Sequence, residues 1–151
     1  WRVVSADFGV AAKPFIVCEV KSPAKDIVEV LLKPLSHAID ARPGQFVLAA
    51  FYDGPHFHGC REFHPFTISA LGSHGELSLG IKALGDCTQH LQSLERGVSA
   101  RIHGPFGDFL SEQPSGPGLW IAGGIGITPF LARLRAGQPD HPARLIYLYR
   151  T

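Results

Sequence analysis

The sequence predicts a mainly β fold: a six-stranded antiparallel barrel, small and closed or Greek-key, followed by a truncated parallel β-α-β unit of an α/β domain. Three observations carry this expectation. Apolar and polar residues alternate with period two in short runs through the first two thirds of the chain. Proline and glycine punctuate those runs at turn-like intervals. Beyond a Ser/Pro/Gly-rich stretch at residues 111–118, the runs become continuously apolar and flank a helical segment.

Composition agrees with a packed chain. Of the 151 residues 45% are hydrophobic and 18% charged, which excludes a disordered chain. Fourteen Lys and Arg against 13 Asp and Glu leave a net charge of +1, no electrostatic basis for wrapping nucleic acid. The longest weakly charged stretch, Gly116 to Leu131, is broken by glycine and proline and is too short to span a bilayer. No secretory leader is read at Trp1. Cys18, Cys60 and Cys87 form an odd set without C-x-x-C spacing, which argues against a disulfide scaffold and against an iron–sulfur cluster. The expectation is a soluble domain of a reducing compartment, cut from something larger.

Taken in order, Phe15–Lys21 is a strand with Ile16, Cys18 and Val20 on one face. Asp26–Lys33 is its neighbour, with Val28, Val30 and Leu32 aligned, joined through Ser22-Pro23-Ala24-Lys25. Arg42-Pro43-Gly44-Gln45 is a turn, proline presetting φ and glycine accepting positive φ, and it feeds a strand at Phe46–Phe51. Phe63–Ser69, Glu76–Lys82 and Val98–His103 complete the six. Asp86–Arg96 is helical, with Leu91 and Leu94 inward. Residues 1–112 thus read as one domain, 113–118 as a linker and 119–151 as the opening of a second. The second holds a strand at Leu119–Ala122, a helix from about Pro129 to Ala136 and a strand at Ala143–Tyr149. Two apolar strands and one helix cannot cover their own sheet, so the chain is expected to stop inside that second domain. The alternative is a small lid packed on the barrel.

Three segments carry chemistry. Gly123-Gly124-Ile125-Gly126-Ile127-Thr128-Pro129 follows a strand and opens a helix. Its glycines let backbone amides approach a ligand, and the helix start favours a diphosphate. Thr128 suits the N-cap and Pro129 the first helical position. Gly85-Asp86-Cys87-Thr88 opens the mid-chain helix. Its amides and the Thr88 hydroxyl are candidates for phosphate oxygens, with Lys82 supplying charge, although capping by Asp86 or Thr88 explains the same residues. His64-Pro65-Phe66-Thr67-Ile68-Ser69 offers an aromatic face and a hydroxyl to a planar ring system, against the plainer reading that Phe66 is core.

In order, these motifs resemble the ferredoxin–NADP reductase superfamily. HPFTIS, IKALGDCT and GGIGITP are most similar to its ferric reductase and NADPH oxidase branch, and Pro43-Gly44-Gln45-Phe46 and Gly104-Pro105-Phe106-Gly107 match further landmarks. The resemblance runs from about Phe15 to Tyr149. It implies an FAD-binding barrel followed by the start of an NAD(P)-binding domain. It implies Phe66 packed on the isoalloxazine after the rigid Pro65, Thr67 bonded near flavin N5 as the catalytic contact, and His64 facing the FAD diphosphate. Lys82 and Gly85, Asp86, Cys87 and Thr88 would cradle the same phosphates. Gly123, Gly124, Gly126, Thr128 and Pro129 would hold the diphosphate of NADPH or NADH. Most soluble relatives have arginine where His64 stands, so flavin retention is expected to be looser and pH-sensitive. Arg150, at the end of the last strand, leans toward the 2′-phosphate of NADPH. The family's nicotinamide-side cysteine and terminal aromatic have no counterpart here, so the fragment is expected to transfer hydride poorly.

The implied activity is electron transfer from NAD(P)H through FAD to a one-electron acceptor. That acceptor would be haem in a transmembrane domain preceding Trp1, with this fragment on the cytoplasmic side of the plasma membrane and ferric iron or oxygen as terminal oxidant. Two alternatives stand beside it: a soluble reductase component feeding an external iron–sulfur or haem partner, and a non-catalytic flavin- or metal-binding regulatory module. His56-x-His58-x-Cys60-x-x-x-His64 has donors suited to zinc. Against that stand the claim of the flavin motif on His64 and the loop signal Asp53-Gly54-Pro55.

Overall fold

In the computed structural model, residues 11–110, 116–137 and 141–149 are described. Six strands close a barrel: β1 (Lys13–Ala24), β2 (Ile27–Pro34), β3 (Phe46–Phe51), β4 (His64–Leu71), β5 (Leu77–Lys82) and β6 (Ser99–Phe106). Their order around the wall is β1-β2-β5-β4-β3-β6, every pairing is antiparallel, and β6 returns to β1. Closure leaves the barrel without free sheet edges, as a set of short half-buried strands requires. Inward side chains fill it: Phe15 from β1, Leu32 from β2, Phe51 from β3, Ile68 from β4, Leu79 from β5 and Ile102 from β6 are all buried.

The alternation expected for β2 holds, with Val28, Val30 and Leu32 buried. That of β1 does not. Phe15 and Val17 face the core, Ile16 and Cys18 do not, and a register shift between Val17 and Glu19 changes the phase. A bulge adds one residue to one strand, and period two then carries the wrong residues to the wrong face. The β1–β2 turn is Lys25-Asp26, since Ala24 still pairs with Ile27. The turn at Arg42–Gln45 forms as expected, with Gly44 at φ +92° and the Gln45 amide donating to the Arg42 carbonyl at 3.2 Å.

Helix α1 (Asp86–His90) is shorter than expected and passes into a 3₁₀ turn at Leu91–Ser93, with Leu91 and Leu94 buried as predicted. Beyond the barrel, β7 (Gly118–Gly123) pairs in parallel with β8 (Ala143–Leu148), connected by a 3₁₀ turn at Gly124–Ile127 and helix α2 (Thr128–Arg135). Thr128 is the first helical residue and Ile127 the cap, because the 3₁₀ turn displaces the helix start by one position. Strand β7 is not the buried strand expected: Leu119 and Ile121 are exposed, as is Leu148 on β8. Helix α2 covers only part of the pair, stacking Phe130 on Trp120 at 5.1 Å between ring centroids. Most of the 111–118 stretch (residues 111–115) and Arg150 lie outside the described residues. No helix among the described residues is long and apolar enough to cross a membrane.

Candidate functional site

Strand β4 carries the HPFTIS motif, and its alternation decides what each side chain can offer. Phe66 and Ile68 face the barrel, while Pro65 is exposed and Thr67 half-buried on the outer side. Phe66 is 7% exposed and meets Phe51 edge-on at 6.4 Å. The ring falls in phase with Ile68 and packs among the core residues, the plainer of its two readings. Thr67 stays on the outer face, where a ligand can reach it. His64 begins the strand with Nε2 buried and lacking a hydrogen bond; Glu62 Oε2 lies 3.5 Å away.

Two distant landmarks converge on β4. The Gln45 carbonyl accepts from the Ile68 amide at 3.1 Å, and Gln45 Nε2 donates to the Gly107 carbonyl at 2.9 Å. Thus Gln45 of the PGQF turn ties the β4 motif to the GPFG bend.

At α1 the first helical hydrogen bond runs from the Gln89 amide to the Gly85 carbonyl. The amides of Asp86, Cys87 and Thr88 precede it, as at any helix start, and no side chain caps them. A Cβ built on Gly85 meets nothing within 4 Å, so the approach is open. The Thr88 hydroxyl, in contrast, is engaged. It accepts from the Leu84 and Gly85 amides at 2.9 Å each and donates to the Gly85 carbonyl at 3.0 Å. These bonds are the capping arrangement that the sequence offered as the alternative to phosphate binding, and they leave the backbone amides of Asp86 and Cys87 without a side-chain partner.

The glycine turn is built differently. Gly123 is extended, Gly124 takes φ +51°, and a Cβ on Gly123 or Gly126 would meet nothing within 4 Å. Thr128 is buried, its hydroxyl donating to the Ile125 carbonyl, and so stabilises the turn from within. Pro129 sits in the first turn of α2. Lys82, expected beside α1, reaches toward this second turn: its Nζ is 3.9 Å from a Cβ built on Gly124. Both line a cleft of about 700 Å³ with Lys25, Asp26, Tyr147 and Tyr149. The two tyrosines stack at 5.6 Å. Lys25 and Asp26 escaped the sequence reading because their nearness to Lys82 arises from the Ile27–Lys82 pairing of β2 with β5.

An adjoining cavity of about 240 Å³ lies between barrel and β-α-β unit, bounded by Gly80, Ser69, Ile125 and Arg135. Here Arg135 of α2 donates to Glu29 Oε1 at 2.5 Å and to the Ser69 carbonyl at 3.2 Å, while the Ser69 hydroxyl donates to the same Glu29 oxygen at 2.6 Å. Burial works against ionisation of Glu29, but the hydrogen bonds from Arg135 and Ser69 outweigh it and hold the carboxyl below its usual range.

The histidine-rich loop between β3 and β4 is organised by Asp53. Its carboxylate accepts from Arg61 Nη2 at 2.5 Å and the Gly59 amide at 3.3 Å, and the Arg61 guanidinium lowers its pKa. His56 turns to Glu95 and His58 to Asp53, so the spacing His56/His58/Cys60/His64 does not become one cluster. Cys60 is instead joined to Cys87 of α1 by a disulfide, a pairing that the odd cysteine count and the expectation of a reducing compartment did not anticipate. Their separation of 27 residues carries no local signature; the barrel wall brings the loop and helix together.

A family model described as an FAD-binding domain matches residues 12–116. A flavohemoprotein of Burkholderia sp. (strain TH2) is 28% identical over 143 residues, covering 91% of this chain and 36% of its own length. NADPH oxidase 4 of Rattus norvegicus is 28% identical over 158 residues, covering 91% of this chain and 26% of its own length. The chain therefore spans well under half of these relatives. The solved flavohem-like FAD/NAD-binding domain of nitric oxide dioxygenase from Vibrio cholerae superposes with a TM-score of 0.78 over 93% of this chain and 64% of that one, at 22% identity, which establishes the shared fold.

Proposed function

The chain belongs to the FAD-binding domain family, and on that premise we propose that it carries electrons from NAD(P)H through FAD to a one-electron acceptor. The observation that carries this reading is the meeting of Lys82 with Gly124 of the glycine turn in one open cleft, together with the start of α1, whose first helical amides no side chain caps. Two sets of backbone amides, each presented by a glycine, suit two diphosphates.

The residues fit a flavin dinucleotide at its diphosphate, where the open approach at Gly85 and the buried, unbonded His64 Nε2 stand ready. They fit the ring system through Thr67 and not through Phe66. Bound FAD supplies the conversion between two-electron and one-electron transfer. The chain's share is to hold and orient. The amides of Asp86 and Cys87 take the flavin phosphates, Thr67 offers a hydroxyl on the outer face of β4, and Gly123, Gly124, Gly126 and Lys82 receive the diphosphate of the nicotinamide dinucleotide. The domain division is 1–112, a linker at 113–118, and the NAD(P) unit from 119. NADPH is the favoured donor, with Arg150 at the 2′-phosphate. The acceptor is haem in a membrane part of the same polypeptide, this domain facing the cytoplasm.

The test is reconstitution with FAD followed by anaerobic addition of NADPH or NADH, in the protein carrying its complete nucleotide domain. Retained flavin whose visible absorption bleaches supports the relay. Flavin that binds but stays oxidised favours a regulatory module, and failure to bind FAD refutes the reading.

A further inference from the structure

Where the β3–β4 loop meets α1, four donors converge. Glu62, His64 and Cys87 each present a ligand atom within 4.8 Å of the other two, and the disulfide ties the Cys60 sulfur to that of Cys87. Glu62 Oε2 and His64 Nε2 are 3.5 Å apart, matching the roughly 3.3–3.8 Å between donors on a tetrahedral zinc ion. His64 Nε2 is shielded from water without a hydrogen bond, a state that costs free energy unless a partner arrives. We propose that, once the bridge is reduced, Cys60, Cys87, His64 and Glu62 form a four-ligand site for a divalent cation of the zinc class, and that the disulfide is its metal-free, oxidised form.

Donor chemistry selects the ion. Two thiolates with an imidazole and a carboxylate suit zinc and disfavour magnesium or calcium, which take oxygen ligands. The scaffold keeps the donors in place when the bridge opens. On one side, Asp53 holds the Gly59 amide and the Arg61 guanidinium, and the Arg61 amide donates to the Phe51 carbonyl at 3.1 Å. On the other, the Thr88 hydroxyl fixes the turn into α1. Opening the bridge takes two electrons and two protons from a small dithiol, which leaves as its own disulfide. The divalent ion then displaces the two thiol protons and keeps its oxidation state. This site shares His64 and Cys87 with the flavin reading, so the metal and the flavin diphosphate are alternative occupants, but it does not rest on that reading, because the metal alone is the probe.

The experiment titrates cobalt(II), then zinc(II), into the full chain after chelation and phosphine reduction, beside the oxidised chain. The expected result is one equivalent of cobalt with thiolate charge-transfer and tetrahedral ligand-field absorption, displaced by one equivalent of zinc, and no such absorption in the oxidised chain. Cys87→Ser weakens binding about tenfold or more, whereas a His56→Ala, His58→Ala double variant leaves it unchanged. Because a cysteine variant can misfold, the unmodified reduced chain is also alkylated: zinc is expected to protect Cys60 and Cys87 and not Cys18. Absence of stoichiometric binding, equal binding by the oxidised chain, or equal alkylation of all three cysteines would overturn the proposal.

Discussion

Gly59 and Gly126 illustrate two reasons for glycine and lead to opposite expectations. A Cβ on Gly59 would stand 2.0 Å from the Phe51 carbonyl oxygen, a collision with backbone that no rotamer relieves. Gly59→Ala should destabilise the chain by at least about 1–3 kcal/mol, read by urea denaturation. Gly126 faces open space, so Gly126→Val should leave stability and flavin retention near their starting values. It should weaken NAD(P)H binding about tenfold or more, read by titration of the flavin-loaded protein, if the turn is the dinucleotide cradle. Phe66 gives a third expectation. As a buried ring, its truncation to alanine should cost about 3–5 kcal/mol of stability, more than the loss of stacking alone would explain.

Between elements, two links hold the second unit and the loop. Arg135 of α2 bridges to Glu29 of β2, tying the β-α-β unit to the barrel. Since the folded state holds the Glu29 carboxyl below its ordinary range, the pair contributes stability above the unfolded pKa and loses it as pH falls through the folded one. For an ion pair open to solvent at its arginine, the contribution is about 0.5–1 kcal/mol. Glu29→Gln should remove this component of acid sensitivity, seen as a flatter dependence of unfolding midpoint on pH below about 4.5. The Cys60–Cys87 bridge closes a span of 27 residues, for which chain-entropy reasoning gives about 3–4 kcal/mol. Reduction in the absence of divalent metal should lower stability by that order, measured by denaturation with and without a phosphine.

At the scale of the whole molecule, the proposed function divides the labour between the barrel and the β-α-β unit. On that proposal the flavin side is β4 and α1 and the dinucleotide side is the turn between β7 and α2, toward which Lys82 reaches. Substitutions on the two sides that leave Lys82 intact should therefore act nearly additively on binding. The exposed Leu119, Ile121 and Leu148 distinguish the strands of this unit from those of the barrel, which expose no large apolar side chain among the described residues.

How much of this was legible in the residues follows from the range of each interaction. Local rules suffice for the turn at Arg42–Gln45, the alternation of β2, the apolar strands around a glycine turn and the order of the motifs, because each depends on neighbours a few positions apart. The sequence by itself therefore determined the mainly β architecture and where the glycine turns stand in the chain. Only the tertiary structure decided that Ile16 and Cys18 turn away from the core, that Lys82 reaches toward Gly124 and that Cys60 meets Cys87. Those outcomes depend on the phase of a bulged strand and on barrel closure, which juxtaposes residues far apart in the chain through pairings that no local spacing encodes.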